Sequence, residues 1–223
     1  MQNHLSKEIN IFSFTKNRLC VMDETAIWNF APLHHTYVPS HLPGYVRTPD
    51  VEHRDSLVVG LVGDGRKLPT FMIESKSAKR KKGQVVEKAV RGMNADIMIQ
   101  WFEEIFLPHK EEIKYLILDK AFSHISKKVK LYALQNNIEL IFLPTKTAPD
   151  LSPLDNGFFA QMKALLHGHP LGTFQQKKET IELVLNMIPE ETVQKYFLHC
   201  GLCYIDDYDI SEAECSIFSD DFE

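Results

Sequence analysis

The sequence predicts an α/β fold in which a mixed, five-stranded sheet is flanked by helices. Three observations carry that expectation. Three apolar runs of strand length open the chain, and two of them are joined by Gly63-Asp64-Gly65-Arg66, where Asp-Gly is a strong hairpin signal. From Asn94 onward, segments with helical apolar spacing alternate with short continuous apolar runs. An antiparallel start followed by alternating helix and strand is the order that a mixed sheet with helix-covered faces requires.

Taken in order, Asn17 to Thr25 (NRLCVMDET) reads as a buried strand with an acidic end, and residues 26 to 54, rich in His and Pro, read as irregular. Asp55 to Val62 and Lys67 to Ile73 are the hairpin strands. After a basic loop, Asn94 to Phe106 repeats Ile97, Met98, Trp101, Phe102 and Ile105 at helical spacing behind an Asn cap. Glu112 to Asp119 is a strand ending in aspartate, Ser126 to Asn136 a helix, and Ile138 to Leu143 a strand closed by Pro144. Leu154 to Leu166 reads as a helix entered through Pro153, and helices at about Thr173 to Met187 and Pro189 to Cys200 complete the domain. Aspartates thus fall at the ends of the first and fourth strands and at the start of the helix after the fifth, which is a ribonuclease-H-like arrangement.

Composition narrows the function classes. The chain has 223 residues, 44% of them apolar, enough for one domain with a sizeable core. No apolar run approaches the roughly 20 residues of a membrane span, and Met1 to Asn10 has no apolar signal-peptide core, so an intracellular protein with no membrane partner is expected. Cys20, Cys200, Cys203 and Cys215 make one C-x-x-C without the further ligands that zinc requires, and they read as thiols. The net charge of −5 is unevenly spread: eight of the 30 acidic residues lie between Asp206 and Glu223, with no Lys or Arg, so residues 1–205 carry +3. We therefore expect an N-terminal extension (1–16), one catalytic-type domain (17–205) and a solvated, disordered acidic tail (206–223).

Asp23, Asp119 and Asp155 are the candidate catalytic residues. If the first and fourth strands are neighbours, Asp23 and Asp119 project close together and Asp155 approaches from its helix. Three adjacent carboxylates repel one another unless cations neutralise them, and hard oxygen donors call for Mg²⁺ or Mn²⁺. A site of two ions, set about 3.5–4 Å apart, is the phosphoryl-transfer arrangement that such a triple would serve. Spacing alone leaves open a second reading, three strand-terminal or helix-capping aspartates.

The surrounding residues carry a family resemblance. VMDETAIW (21–28), LILDKAFSH (116–124) and IELIFLPTKTAPDLSPLDNGFFAQMK (138–163) resemble the three catalytic motifs of DDE transposases of the pogo, tigger and jerky-like group. Thirty-five residues separate Asp119 from Asp155, a spacing that suits the family. GDGRKLPTFMIESKS (63–77), GMNADIMIQWFEEIFLP (92–108) and VQKYFLHCGL (193–202) also resemble it, so the likeness runs in order from Asn17 to Leu202. It implies Asp23, Asp119 and Asp155 as metal ligands in an enzyme that cuts transposon-end DNA and joins the freed 3′-hydroxyl to target DNA. It also implies a nuclear location, and a homodimer as a possible assembly.

Lys120 stands where the family usually has Asn, Phe122 where it has Pro, and Ala26 where it has Gly. Lys120 is therefore read as a modulator of the site by charge, and His124 either as a modulator that orients a carboxylate or contacts DNA or, equally, as a packed histidine at a helix start. Lys76, Lys79, Arg80, Lys81 and Lys82 form the one dense basic run, read either as a DNA-binding or import loop or as a solvated one. Only 16 residues precede the first strand, and end recognition by helix-turn-helix modules is expected to come from elsewhere. The alternative function is a domesticated relic, a DNA- or chromatin-associated or protein-interaction module without catalysis.

Overall fold

The structure is a computed structural model that describes residues 16–28, 54–75, 92–110, 112–144, 147–167, 169 and 171–202. The basic run Lys76, Lys79, Arg80, Lys81 and Lys82, the acidic tail and residues 1–15 lie outside the described residues. The described strands are β1 (Leu19–Trp28), β2 (Arg54–Val62), β3 (Phe71–Ile73), β4 (Tyr115–Leu118) and β5 (Glu139–Phe142). The main helices are α1 (Ala95–Trp101), α2 (Lys127–Gln135), α3 (Phe159–Leu166), α4 (Phe174–Met187) and α5 (Glu190–His199). The five strands form one sheet in the order β3-β2-β1-β4-β5. β1–β2 and β2–β3 pair antiparallel, while β1–β4 and β4–β5 pair parallel.

Side chains alternate across this sheet with period two, and each face has its own core. Leu19 and Val21 of β1 join Leu57, Val59 and Leu61 of β2 and Ile117 of β4 beneath α3, α4 and α5. Cys20 and Met22 turn the other way, with Val58 and Val62, against α1 and α2. On that second face Trp101, Phe102 and Phe106 are fully buried, with ring centroids 5.5–5.7 Å apart. Asn94 caps α1 by accepting from the backbone N–H groups of Asp96 and Ile97, as its position before the apolar repeat led us to expect. The turns after Trp101 widen at Phe102–Phe106, so the regular helix ends earlier than its apolar spacing indicates.

Two further boundaries differ from the expectation. β1 continues to Trp28, paired residue for residue with β2 as far as Arg54, whose guanidinium lies 5.8 Å from the centroid of the Trp28 ring. Asp23 is therefore in the interior of a strand and not at its end. The hairpin after β2 closes at Leu61 and Lys67, with Leu68 N–H donating to the Gly60 carbonyl at 2.9 Å. Pro69 then lacks an N–H to continue the ladder, and β3 is only Phe71–Ile73. Gly65 turns that hairpin at φ 100°, where a Cβ would come 2.5 Å from the Glu190 carbonyl oxygen.

α4 is anchored twice. Thr173 and Gln176 form a capping box at its start, each side chain bonding the other's backbone N–H. Lys177, 2% exposed, pairs with Asp55 of β2, which is 5% exposed and also accepts from the Ser75 backbone N–H at 2.9 Å. Removing one partner of such a buried pair leaves a lone charge and costs about 3–5 kcal/mol.

Candidate active site

The parallel pairing of β1 with β4 sets Val21 opposite Ile117. Continuing that register by two residues brings Asp23 level with Asp119, and the period of two turns both toward the face occupied by Val21 and Ile117. Leu154 and Phe158, which flank Asp155, are buried in the core of that same face. Strand register, side-chain parity and helix packing thus direct all three aspartates to one place.

Their electrostatics are coupled. Burial raises the Asp23 carboxyl to about 7; the Glu24 backbone N–H, donating at 2.7 Å, opposes this, while the charges of Asp155 and Asp119 add to it. Asp155 is raised as well, by desolvation and by the charge of Asp119, with Lys163 acting in the opposite direction. Asp119 moves the other way, held below the ordinary aspartate range chiefly by its hydrogen bond with His124.

His124 lies within the turn of residues 122–125 before α2 and is 1% exposed. Its Nδ1 lies 2.5 Å from Asp119 Oδ1, and its Nε2 lies 3.7 Å from Glu24 Oε1, an ion contact longer than a hydrogen bond. Burial lowers the affinity of the imidazole for its second proton, but Asp119 and Glu24 outweigh burial and lift it to about 9. An imidazolium between two carboxylates at neutral pH follows, and it orients Asp119 together with the Ala121 N–H, which donates to the same oxygen at 3.1 Å. Lys120 is exposed and, among the described residues, forms no ion pair.

Asp155 sits in an irregular turn. Leu154 is fully buried, but Asn156 (φ −85°, ψ 60°) and Gly157 (φ 115°, ψ −43°) leave helical conformation before α3 begins at Phe159. The helix expected over Leu154 to Leu166 is therefore regular only from Phe159. α5 supports the bend: a Cβ at position 157 would stand 2.4 Å from Cε1 of Tyr196, the Tyr196 ring packs edge-on against Phe158, and its hydroxyl donates to Gln161 at 3.1 Å. Cys200, at the end of α5, is also buried, and burial pushes its thiol up to about 12 despite a hydrogen bond with Asn156.

Two features escaped the sequence reading. Glu24, which stands beside Asp23 in VMDET, braces His124 and also accepts from the Met93 backbone N–H at 3.3 Å. Tyr196 carries no local signal for its role, because the glycine it faces is distant in sequence. Among the described residues, no three His, Cys, Asp or Glu side chains are closed around one ion position. The donor chemistry nevertheless fits a hard divalent cation, since all three groups are carboxylates and a cation removes the cost of ionising Asp23 and Asp155 together.

Comparison with known proteins adds two findings. The family model described as DDE superfamily endonuclease matches residues 57–196, a span that includes Asp119 and Asp155 and begins after Asp23. Among solved structures, the catalytic domain of Mos1 mariner transposase superposes with a TM-score of 0.60 at 16% identity, over 89% of this chain and 83% of that one. The Mos1 strand transfer complex gives a TM-score of 0.66 at 18% identity, over 89% and 55% of the two chains, and the Mos1 paired end complex with Mg gives 0.65 at 17%, over 89% and 56%. At these identities the likeness is one of fold, and that fold is the ribonuclease-H-like one expected from the order of strands and helices. The chain spans about half the length of the transposase chains in those complexes.

Proposed function

Because this chain belongs to the DDE superfamily of endonucleases, we propose that Asp23, Asp119 and Asp155 form a divalent-cation site for cleaving a DNA phosphodiester and joining the freed 3′-hydroxyl to a second one. The observation that carries the reading is that the charges of Asp119 and Asp155 both act on Asp23, in keeping with a β1–β4 register that pairs Val21 with Ile117 two residues before the two strand aspartates. In cleavage, the oxygen of water bonds to phosphorus as the bond to the 3′-oxygen breaks, leaving a 3′-hydroxyl and a 5′-phosphate. In joining, that 3′-hydroxyl loses its proton, attacks a target phosphorus and displaces the target's 3′-oxygen. Mg²⁺ or Mn²⁺, held as one or two ions by the three carboxylates, supplies activation of the attacking oxygen and charge stabilisation of the leaving one.

The protein's own residues do the positioning. His124 and the Ala121 N–H fix the orientation of Asp119. Glu24 fixes His124 in turn. The bend at Asn156 and Gly157, held by Tyr196, sets the direction of Asp155. We further propose DNA, both transposon ends and target, as the partner, with the run from Lys76 to Lys82 contacting phosphates, a homodimer as the working assembly, the nucleus as the location, and the boundaries 17–205 for the catalytic-type domain.

One residue favours a second reading, a DNA- or chromatin-associated module without catalysis: Lys120 directly follows Asp119, where the family usually has Asn. Supercoiled plasmid incubated with Mg²⁺ or Mn²⁺ separates the two. Nicking that disappears in Asp119→Ala supports the nuclease. DNA binding with no nicking in either protein supports the module.

A further inference from the structure

We propose that Phe122 is a stacking platform for the nucleobase beside the cleaved phosphodiester, an inference that rests on the assignment of the carboxylates to DNA cleavage. Phe122 is 88% exposed, more than any other large apolar side chain among the described residues. The turn that carries it is nonetheless hydrogen-bonded on both sides of Phe122. The Ala121 N–H donates to Asp119 Oδ1 at 3.1 Å, and the Ala121 carbonyl accepts from the N–H groups of His124 at 3.0 Å and Ile125 at 3.2 Å. His124, two residues on, is buried and hydrogen-bonded to the same Asp119 oxygen. One short turn therefore holds the carboxylate of Asp119 and the backbone that carries Phe122 in a fixed relation.

Distance and charge identify the occupant. Three residues reach at most about 11 Å even when fully extended, and this turn is contracted, so the ring lies within a few nucleotide steps of a phosphate at Asp119. Nucleotides in one strand of a duplex advance about 3.4 Å per step. Lys120, two residues before Phe122, is exposed and offers a cation to a neighbouring phosphate, and Ile125, three residues after it, is 38% exposed and adds apolar surface. An exposed aromatic ring on a segment that also carries a cation and a site carboxylate suits a nucleotide, with its flat base and charged backbone, better than it suits the apolar core of a protein interface. Turns favour Gly, Pro, Asn, Asp and Ser for backbone reasons, and Phe meets none of those needs, so the turn itself does not call for this ring. An aromatic ring receives an unstacked base whatever its identity, because every base presents a π-face.

The test uses a nicked duplex carrying 2-aminopurine at successive positions around the nick, bound in Ca²⁺. Wild type is expected to change the fluorescence at one position flanking the nick; Phe122→Trp keeps the change, and Phe122→Ala loses it with about a tenfold or greater fall in affinity. An abasic site at that position should abolish the affinity difference between wild type and Phe122→Ala. Because the ring is solvent-exposed, Phe122→Ala should keep the wild-type melting temperature. Equal affinity and equal fluorescence in wild type and Phe122→Ala overturn the proposal, as does an affinity loss that persists on abasic DNA. A change in self-association alone also overturns it and makes the ring a protein contact. Asp155→Asn separates the two readings, since it should abolish nicking and retain the Phe122-dependent signal. A wild type that never nicks yet gives that signal sinks the nuclease and leaves the stacking site standing.

Discussion

At the scale of single residues, the carboxylate held least comfortably is Asp23. Burial and the neighbouring charges of Asp155 and Asp119 raise it from 3.8 to about 7, so the folded protein binds a proton there more tightly than the unfolded chain does. The sign follows: the resulting stability is fully present below about pH 4 and is lost as pH rises through about 7. His124 has the same sign, its contribution being complete below 6.5 and lost through about 9. Through these two groups the metal-free protein should weaken from about pH 4 to mildly alkaline pH, whereas Asp119, held below its ordinary range, acts with the opposite sign and loses its contribution in acid. Asp23→Asn removes the charge and is expected to raise the melting temperature of the EDTA-treated protein at pH 8, by at most about 4 kcal/mol of stability, with the gain vanishing near pH 4. Added Mg²⁺ should stabilise wild type at pH 8 and stabilise Asp23→Asn less. A lower melting temperature for Asp23→Asn at pH 8 would show that its hydrogen bond from the Glu24 N–H outweighs the charge, and would remove the stability argument for a cation site.

At the scale of elements, the regular parts were legible and the bends were not. The hairpin at Gly63 to Arg66, the cap at Asn94 and the capped start of α4 are written in adjacent residues, so local chemistry determined them. Asp119 at the end of β4 was readable because an apolar run stops there. The interior position of Asp23 was not, because β1 continues past its acidic pair only by pairing with β2, which is remote in sequence. The bend beneath Asp155 escaped for the same reason: Pro153-Leu154-Asp155 looks like an ordinary helix start, and Tyr196 of α5 decides otherwise. Nor does any local pattern mark Lys177 of α4 as buried against Asp55. The bend can be tested through Gly157, whose φ of 115° and contact with the Tyr196 ring both exclude a side chain. Gly157→Ala is expected to cost about 1–3 kcal/mol, measured by denaturant unfolding, and to reduce nicking further as Asp155 is displaced. Adding Tyr196→Ala relieves the clash but not the backbone strain, so it should recover less of the nicking than of the space. Wild-type stability and nicking in Gly157→Ala would mean that the turn is not what positions Asp155.

At the scale of the whole molecule, the sheet separates two tasks. The face under α1 and α2 is an aromatic and aliphatic core that supports the turn of His124, while the face under α3, α4 and α5 carries Asp155 to the aspartates of β1 and β4. Charge is divided along the chain in a comparable way, with +3 on residues 1–205 and eight acidic residues with no Lys or Arg from Asp206 onward. A weakly basic body gains affinity for DNA mainly by displacing counterions from phosphates, so a linked acidic segment competes with DNA for the same lysines and arginines. Charges separated by more than about 10 Å are largely screened at 0.1 M salt, which confines this competition to low ionic strength. Deleting residues 206–223 is therefore expected to raise affinity for a short non-specific duplex about three- to tenfold at about 50 mM salt, and to change it little at about 300 mM. The fall of log affinity with log salt should become steeper, by about 0.9 for every phosphate contact that the tail had blocked. Fluorescence anisotropy titrations of the full chain and the truncated one across that salt range measure both quantities. Superimposable curves would mean that the tail never reaches the basic surface, and DNA affinity would then be set by residues 1–205 alone.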